Sequence, residues 1–173
     1  MPTSLARRVH DAAHLTGTFL LRSGATSTEY FDKYRFEADP ALLRDIAVQL
    51  AARLPRDWEV LAGLEMGGIP IATMLSQVTG RPTRFIRKQA KPYGTCRYAE
   101  GGDVRNRRLL IVEDVVTSGG QILESVHALR SDGAVITDVV CVIDRLAGGA
   151  ENLAREGLHL TPLFTMEELK ATA

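Results

Sequence analysis

The sequence predicts an α/β fold in which an open, mostly parallel sheet carries helices on both faces. Two observations carry this expectation. The short runs 60-VLAGL-64, 83-TRFI-86, 109-LLIV-112 and 135-VITDVVCVI-143 are apolar and rich in β-branched residues, as strands buried on both faces require. Between them, 69-IPIATMLSQV-78 and 121-QILESVHALRSDG-133 have helical character, so the order is β-α-β and the crossovers should be right-handed.

Along the chain, Leu5, Val9 and Ala12 recur at helical spacing behind Thr3 and Ser4, either of which can cap a short amphipathic helix. Asp39-Pro40 then reads as an N-cap followed by a first-turn proline. Leu42, Leu43, Ile46, Leu50 and Leu54 mark the buried stripe of the helix that follows. In the segment from 121, Ile122, Val126 and Leu129 share one face, and Gly133 stands just past the end. No internal repeat or composition break marks a linker, so residues 1–173 are expected to form a single domain.

At 173 residues the chain can bury a core without disulfides or a structural metal. Lysine plus arginine and aspartate plus glutamate balance at 21 each, which argues against a nucleic-acid coat or a membrane-binding surface. Cys96 and Cys141 lack C-x-x-C spacing, and no early apolar segment resembles a signal peptide or membrane span, so a reducing cytoplasm is expected.

In open parallel sheets, ligands bind beyond the carboxyl ends of the strands, which directs attention to 113-EDVVTSGGQ-121. Here the chain passes two carboxylates, Glu113 and Asp114, then offers Thr117, Ser118, Gly119 and Gly120 immediately before a helix. Small residues there let backbone N–H groups converge on an anion, and the helix dipole favours a phosphate. The plainer alternative is that Thr117 or Ser118 merely caps the helix. The acids tilt the balance: beside a phosphate they would repel the ligand unless they bind another part of it, such as sugar hydroxyls or a metal ion. Neither G-x-x-x-x-G-K-[ST] nor G-x-G-x-x-G is present, which leaves a ribose phosphate.

This stretch resembles the signature with which type I phosphoribosyltransferases bind phosphoribosyl pyrophosphate (PRPP). Three further segments are similar to orotate phosphoribosyltransferases in particular: 19-FLLRSGATSTEYFD-32, 87-RKQAKPYGTCRYAEGG-102 and 143-IDR-145. A fourth, 63-GLEMGGIPIA-72, resembles the family's pyrophosphate loop, although a tight turn before a helix would need the same glycines. The resemblance implies transfer of phosphoribosyl from PRPP to orotate, and a small hood made from about residues 1–36 and the C-terminal segment.

By the same resemblance, Glu113 and Asp114 hold the ribose hydroxyls, while Val115, Val116, Thr117, Ser118, Gly119, Gly120 and Gln121 form the 5′-phosphate loop. Gly67 approaches the diphosphate, and Arg22, Arg87, Lys88, Lys91 and Tyr93 complete the PRPP site. Lys91, Arg87, Lys88 and Asp114 are the implied catalytic set. Tyr30, Phe31, Thr117 and Arg145 frame orotate, whose flat ring wants an aromatic wall and whose carboxylate wants donors. Mg²⁺ is expected, bound mainly through PRPP, with no metal site of the chain's own. A homodimer is implied, with the basic loop 87–102 acting across the interface and no nucleic-acid or membrane partner. Some family members carry lysine at the position of Gly67, histidine at Tyr93 and glutamate at Gln89. None of His10, His14, His127 and His159 is a compelling general base. The competing readings are transfer to another base and a PRPP-sensing regulator without catalysis.

Overall fold

The computed structural model describes residues 3–20, 24–90 and 98–172. Helix α1 (Leu5–Ala13) opens the chain, and the Ser4 side chain caps it by accepting the Arg7 N–H at 3.2 Å. Leu5 and Val9 are buried as expected; toward the end His10 and Ala13 turn inward, and Ala12 packs only partly against the core.

Strands β1 (His14–Leu20) and β2 (Thr26–Phe31) form a separate antiparallel pair. Helix α2 (Tyr34–Ala38) follows. Helix α3 (Pro40–Ala51) starts as the sequence predicts: Asp39 Oδ1 accepts the N–H groups of Ala41 and Leu42, each at 2.9 Å. It ends before Leu54, which packs on the core from the following loop.

The main sheet contains β3 (Val60–Leu64), β4 (Thr83–Ile86), β5 (Ala99–Glu100), β6 (Arg108–Val116), β7 (Val135–Asp144) and β8 (His159–Thr165). Their order is β5-β4-β3-β6-β7-β8, with all pairs parallel except β4 with β5. The expected open, mostly parallel sheet is therefore present. Helices α4 (Gly68–Thr79), α5 (Gly120–Ser131), α6 (Gly149–Arg155) and α7 (Met166–Ala171) complete the fold.

Strand alternation splits the apolar side chains between two cores. Leu61, Leu110, Val112, Val140 and Val142 face the layer that contains α1, α3 and α4. Val60, Ala62, Leu64, Leu109, Ile111 and Val139 face α5 and α6 with Ile122, Val126 and Leu153. Each fully buried leucine or isoleucine contributes about 1.5–3 kcal/mol of transfer free energy, which is what holds this three-layer arrangement together.

The sheet differs from expectation at β6. The apolar run 109-LLIV-112 ends at Val112, but pairing with β7 continues to Val116, opposite Asp144. The two acids are therefore strand residues rather than the first residues of a loop. Among the described residues, no helix is long and apolar enough to cross a membrane.

Candidate active site

Because Glu113 and Asp114 are consecutive strand residues, their side chains leave opposite faces of the sheet. Asp114 is buried on the α2 side, and Glu113 lines a cavity of about 160 Å³ with Val115, Val116, Thr117, Ser118, Gly119, Gly120, Gln121 and Ile122. This cavity lies at the N-terminus of α5. Gly119 occupies its N-cap with φ 79°, in the left-handed region that suits glycine, and no side chain caps the helix. The first-turn N–H groups, which an α-helix leaves without intrahelical acceptors, therefore remain available to a ligand. The capping role open to Thr117 and Ser118 is not the one they take. Asn152, from α6, anchors the loop by donating to the Ser118 carbonyl at 3.0 Å.

On the opposite face, α2 brings two side chains that the sequence did not single out. The Lys33 ammonium makes an ion pair with Asp114 Oδ2, and Glu37 is buried one turn further on. Burial, followed by the neighbouring Asp114 carboxylate, pushes the Glu37 carboxyl up to about 9. Burial likewise raises Glu113 well above the usual carboxylate range. For Asp114 burial acts in the same sense, but hydrogen bonding with Glu113 and Lys33 and the Lys33 charge outweigh it and hold the carboxyl below its ordinary value. Lys33 is raised in turn, since its pairing with Asp114 exceeds its desolvation. Of the three carboxyls, Asp114 is thus the one held toward its charged form, against the Lys33 ammonium.

This electrostatic arrangement has a stability consequence. A carboxyl whose folded value, about 9, exceeds its ordinary 4.5 binds its proton more tightly in the folded state. Its contribution is complete below the unfolded value and disappears as pH rises through the folded one. The melting temperature of the ligand-free protein should therefore fall between those limits, and Glu37→Gln should flatten that decline. A wild-type slope retained in Glu37→Gln would assign the pH dependence to other groups.

The turn ahead of α4 closes on the same carboxylate. A Cβ at Gly67 would lie 1.5 Å from Asp114 Oδ2, and one at Gly68 would lie 2.2 Å from the Val112 carbonyl oxygen. Glycine is needed here for close approach. Gly67→Ala must displace the Asp114 carboxylate, and we expect it to weaken PRPP binding about tenfold or more while the far-UV circular dichroism stays native. Wild-type affinity measured by calorimetry would contradict the placement of Gly67 against Asp114.

Tyr30, Phe31 and Arg145 share a second cavity, of about 520 Å³, which is also lined by His10, His14, Met166 and Lys170. Tyr30 is exposed and stacks on Phe19 with ring centroids 5.5 Å apart, whereas Phe31 packs partly into the core. Arg145 follows β7, where its N–H donates to the Val116 carbonyl at 2.9 Å. Thr117 lines the α5 cavity rather than this one. His10 and His14, set aside as general bases, stack at 4.8 Å and form part of the cavity wall.

The basic segment starts from β4. The Arg87 N–H donates to the Tyr98 carbonyl at 3.0 Å, and its guanidinium lies 3.6 Å from Glu100. The Lys88 N–H donates to Glu65 at 2.9 Å. Arg22, Lys91 and Tyr93 lie outside the described residues.

Comparison with known proteins agrees with this geometry. Residues 35–161 match the phosphoribosyl transferase domain family. The orotate phosphoribosyltransferase of a Nocardioides species is 50% identical over 171 residues, covering 99% of this chain and 96% of the relative. Two Mycobacterium tuberculosis orotate phosphoribosyltransferase structures superpose over 96% of both chains. The one in complex with inorganic phosphate has a TM-score of 0.85 at 30% identity. The one in complex with PRPP has a TM-score of 0.82 at 29% identity. With an uncapped helix at the end of a parallel strand, paired acids beside it and relatives of this kind along nearly its whole length, the chain belongs to the orotate phosphoribosyltransferases.

Proposed function

We infer that this chain transfers the 5-phosphoribosyl group from PRPP to orotate, giving orotidine 5′-monophosphate and pyrophosphate, a step of pyrimidine (UMP) biosynthesis in the cytoplasm. The observation that carries the reading is the α5 cavity, where uncapped backbone amides and Glu113 line one recess while Asp114 stands on the other face of the same strand. The 5′-phosphate would sit on amides from Thr117 to Gln121. The ribose hydroxyls would be held by the two acids, of which Asp114, kept charged by Lys33, is the strong acceptor.

In the reaction, a bond forms between an orotate ring nitrogen and ribose C1 as the bond from C1 to the diphosphate oxygen breaks, its electron pair leaving with pyrophosphate. Positive charge builds on the sugar and negative charge on the leaving group. The proton on that ring nitrogen leaves as the bond forms and passes to the departing pyrophosphate or to water, so in this reading no strong side-chain base is required. Arg87, Lys88 and Lys91 answer the second charge as pre-positioned cations, and removal of one such donor costs about 10²–10³ in rate. Mg²⁺, when bound, neutralises the diphosphate further. In this reading it enters on PRPP.

In this reading the hood comprises about residues 1–36, which contain α1 and the β1-β2 pair, and the C-terminal segment, whose α7 packs beside α1. In the acceptor cavity, Tyr30 and Phe31 would face the pyrimidine and Arg145 its carboxylate. The loop 87–102 would reach the site of a second copy in a homodimer, covering the reaction and excluding water. Arg145→Ala should raise KM for orotate by about 10–100-fold, the worth of a charge-assisted hydrogen bond, and leave KM for PRPP within about threefold. An equal rise for both substrates would move Arg145 out of the acceptor pocket.

The direct test mixes protein, Mg²⁺ and PRPP with orotate, uracil or adenine and follows pyrophosphate release together with loss of orotate absorbance. Release with orotate alone is expected. Release with adenine or uracil but not orotate would overturn the assignment of the acceptor, and no release with any base would favour a sensor of PRPP.

A further inference from the structure

The buried charge cluster contains a residue that the reaction as described does not use. Lys33 is presented by a fixed turn: the Asp32 N–H donates to the Ala13 carbonyl at 2.8 Å, Asp32 Oδ1 accepts the Tyr34 N–H at 3.2 Å, and Phe36 of α2 is fully buried. From that turn the Lys33 ammonium passes 5.1 Å from the Tyr34 ring centroid and ends on Asp114 Oδ2. Asp114 is only 1% exposed, so its carboxylate has little water to stabilise a charge. The oxygen contacted by Lys33 is also the one a side chain at position 67 would strike.

We propose that Lys33 is a positioning residue of the donor site, which keeps Asp114 as an oriented anion so that it can accept the ribose hydroxyls of PRPP. The inference rests on the PRPP-binding reading of Glu113 and Asp114. Around Asp114 stand Lys33 at the N-cap of α2, Glu37 within that helix, Glu113 on its own strand, Cys141 on β7 and the Gly67 backbone ahead of α4; Tyr34 in turn faces Lys33, and Asp144 faces Cys141. Apart from Lys33, the side chains in this set are neutral or acidic. Without its ammonium, burial and the neighbouring carboxyls would favour the protonated form of Asp114, which is a poor acceptor. Breaking a buried pair by removing one partner is costly because the other charge is stranded.

The test compares full-length wild type with Lys33→Met, which keeps the length of the side chain, and Lys33→Arg, which keeps the charge. Steady-state kinetics with Mg²⁺, PRPP and orotate would be measured from acidic to alkaline pH. We expect Lys33→Met to raise KM for PRPP about tenfold or more and to leave KM for orotate within about twofold. The kcat/KM for PRPP should gain an acid limb, falling as pH drops at values where wild type is flat. Lys33→Arg should recover most of the loss. In an Asp114→Asn background, Lys33→Met should cost little more, because the two act as a unit.

A wild-type KM for PRPP with a flat pH profile in Lys33→Met overturns the inference. So does an equal loss at every pH that Lys33→Arg fails to rescue, or a full additional loss in the Asp114→Asn background. If Lys33→Met fails to fold, Lys33→Arg and the Asp114→Asn pair decide the same question. Absence of turnover in wild type with any base overturns the functional reading and this inference together, whereas normal wild-type turnover beside an unaffected Lys33→Met overturns this inference alone.

Discussion

The double substitution Glu113→Gln, Asp114→Asn is expected to lower PRPP affinity by about 10–10³-fold, since a hydrogen bond to charged Asp114 is worth about 1.5–3 kcal/mol and one to Glu113 about 0.5–1.5 kcal/mol. The fold survives, because the two amides keep the volume of the carboxyls while Leu110, Ile111 and Val112 on the same strand remain fully buried. The effect should be confined to the donor: the cavity lined by Tyr30, Phe31 and Arg145 contains neither acid. Calorimetry on the double variant, checked by circular dichroism, measures the expected loss. Native affinity in a folded protein would remove the acids from the ribose.

The second large effect is expected in turnover. Lys91→Ala should depress kcat about 10²–10³-fold and leave the dissociation constant of PRPP within a few-fold. The reason is that a cation closing over the diphosphate gains most when charge develops there, an interaction stronger in the transition state than in the bound substrate. Arg87 and Lys88 belong to the same basic segment. Arg87 is paired with Glu100, and the Lys88 backbone is held by Glu65, so their positions are partly set before any ligand arrives. Steady-state kinetics with an unchanged kcat in Lys91→Ala would contradict this role.

What could be read from the sequence was local in origin. Asp39-Pro40 announced α3 because an N-cap and a first-turn proline act within one turn, and the central strands announced themselves because burial on both faces leaves continuous apolar runs. The loop from Glu113 to Gln121 was legible for the same reason, since its acids, small residues and following helix are adjacent in the chain.

Features that depend on tertiary approach were not legible. Strand β8 carries Pro162, which weakens a strand reading; it is accommodated because β8 is an edge strand paired only with β7. The β1-β2 pair leaves most of its residues exposed, so neither strand shows a buried alternation. Lys33 and Glu37 resemble ordinary charged residues of a short helix until α2 is packed over β6. The extension of that strand through Val116 is set by pairing with β7, and nothing in 113-EDVV-116 alone distinguishes strand from loop.

Crystals grown with Mg²⁺ and PRPP test the central claim most directly. The account predicts a 5′-phosphate within hydrogen-bonding distance of the backbone amides between Thr117 and Gln121, with the ribose hydroxyls on Glu113 and Asp114. A donor bound elsewhere, with those amides engaged by protein groups instead, would contradict it.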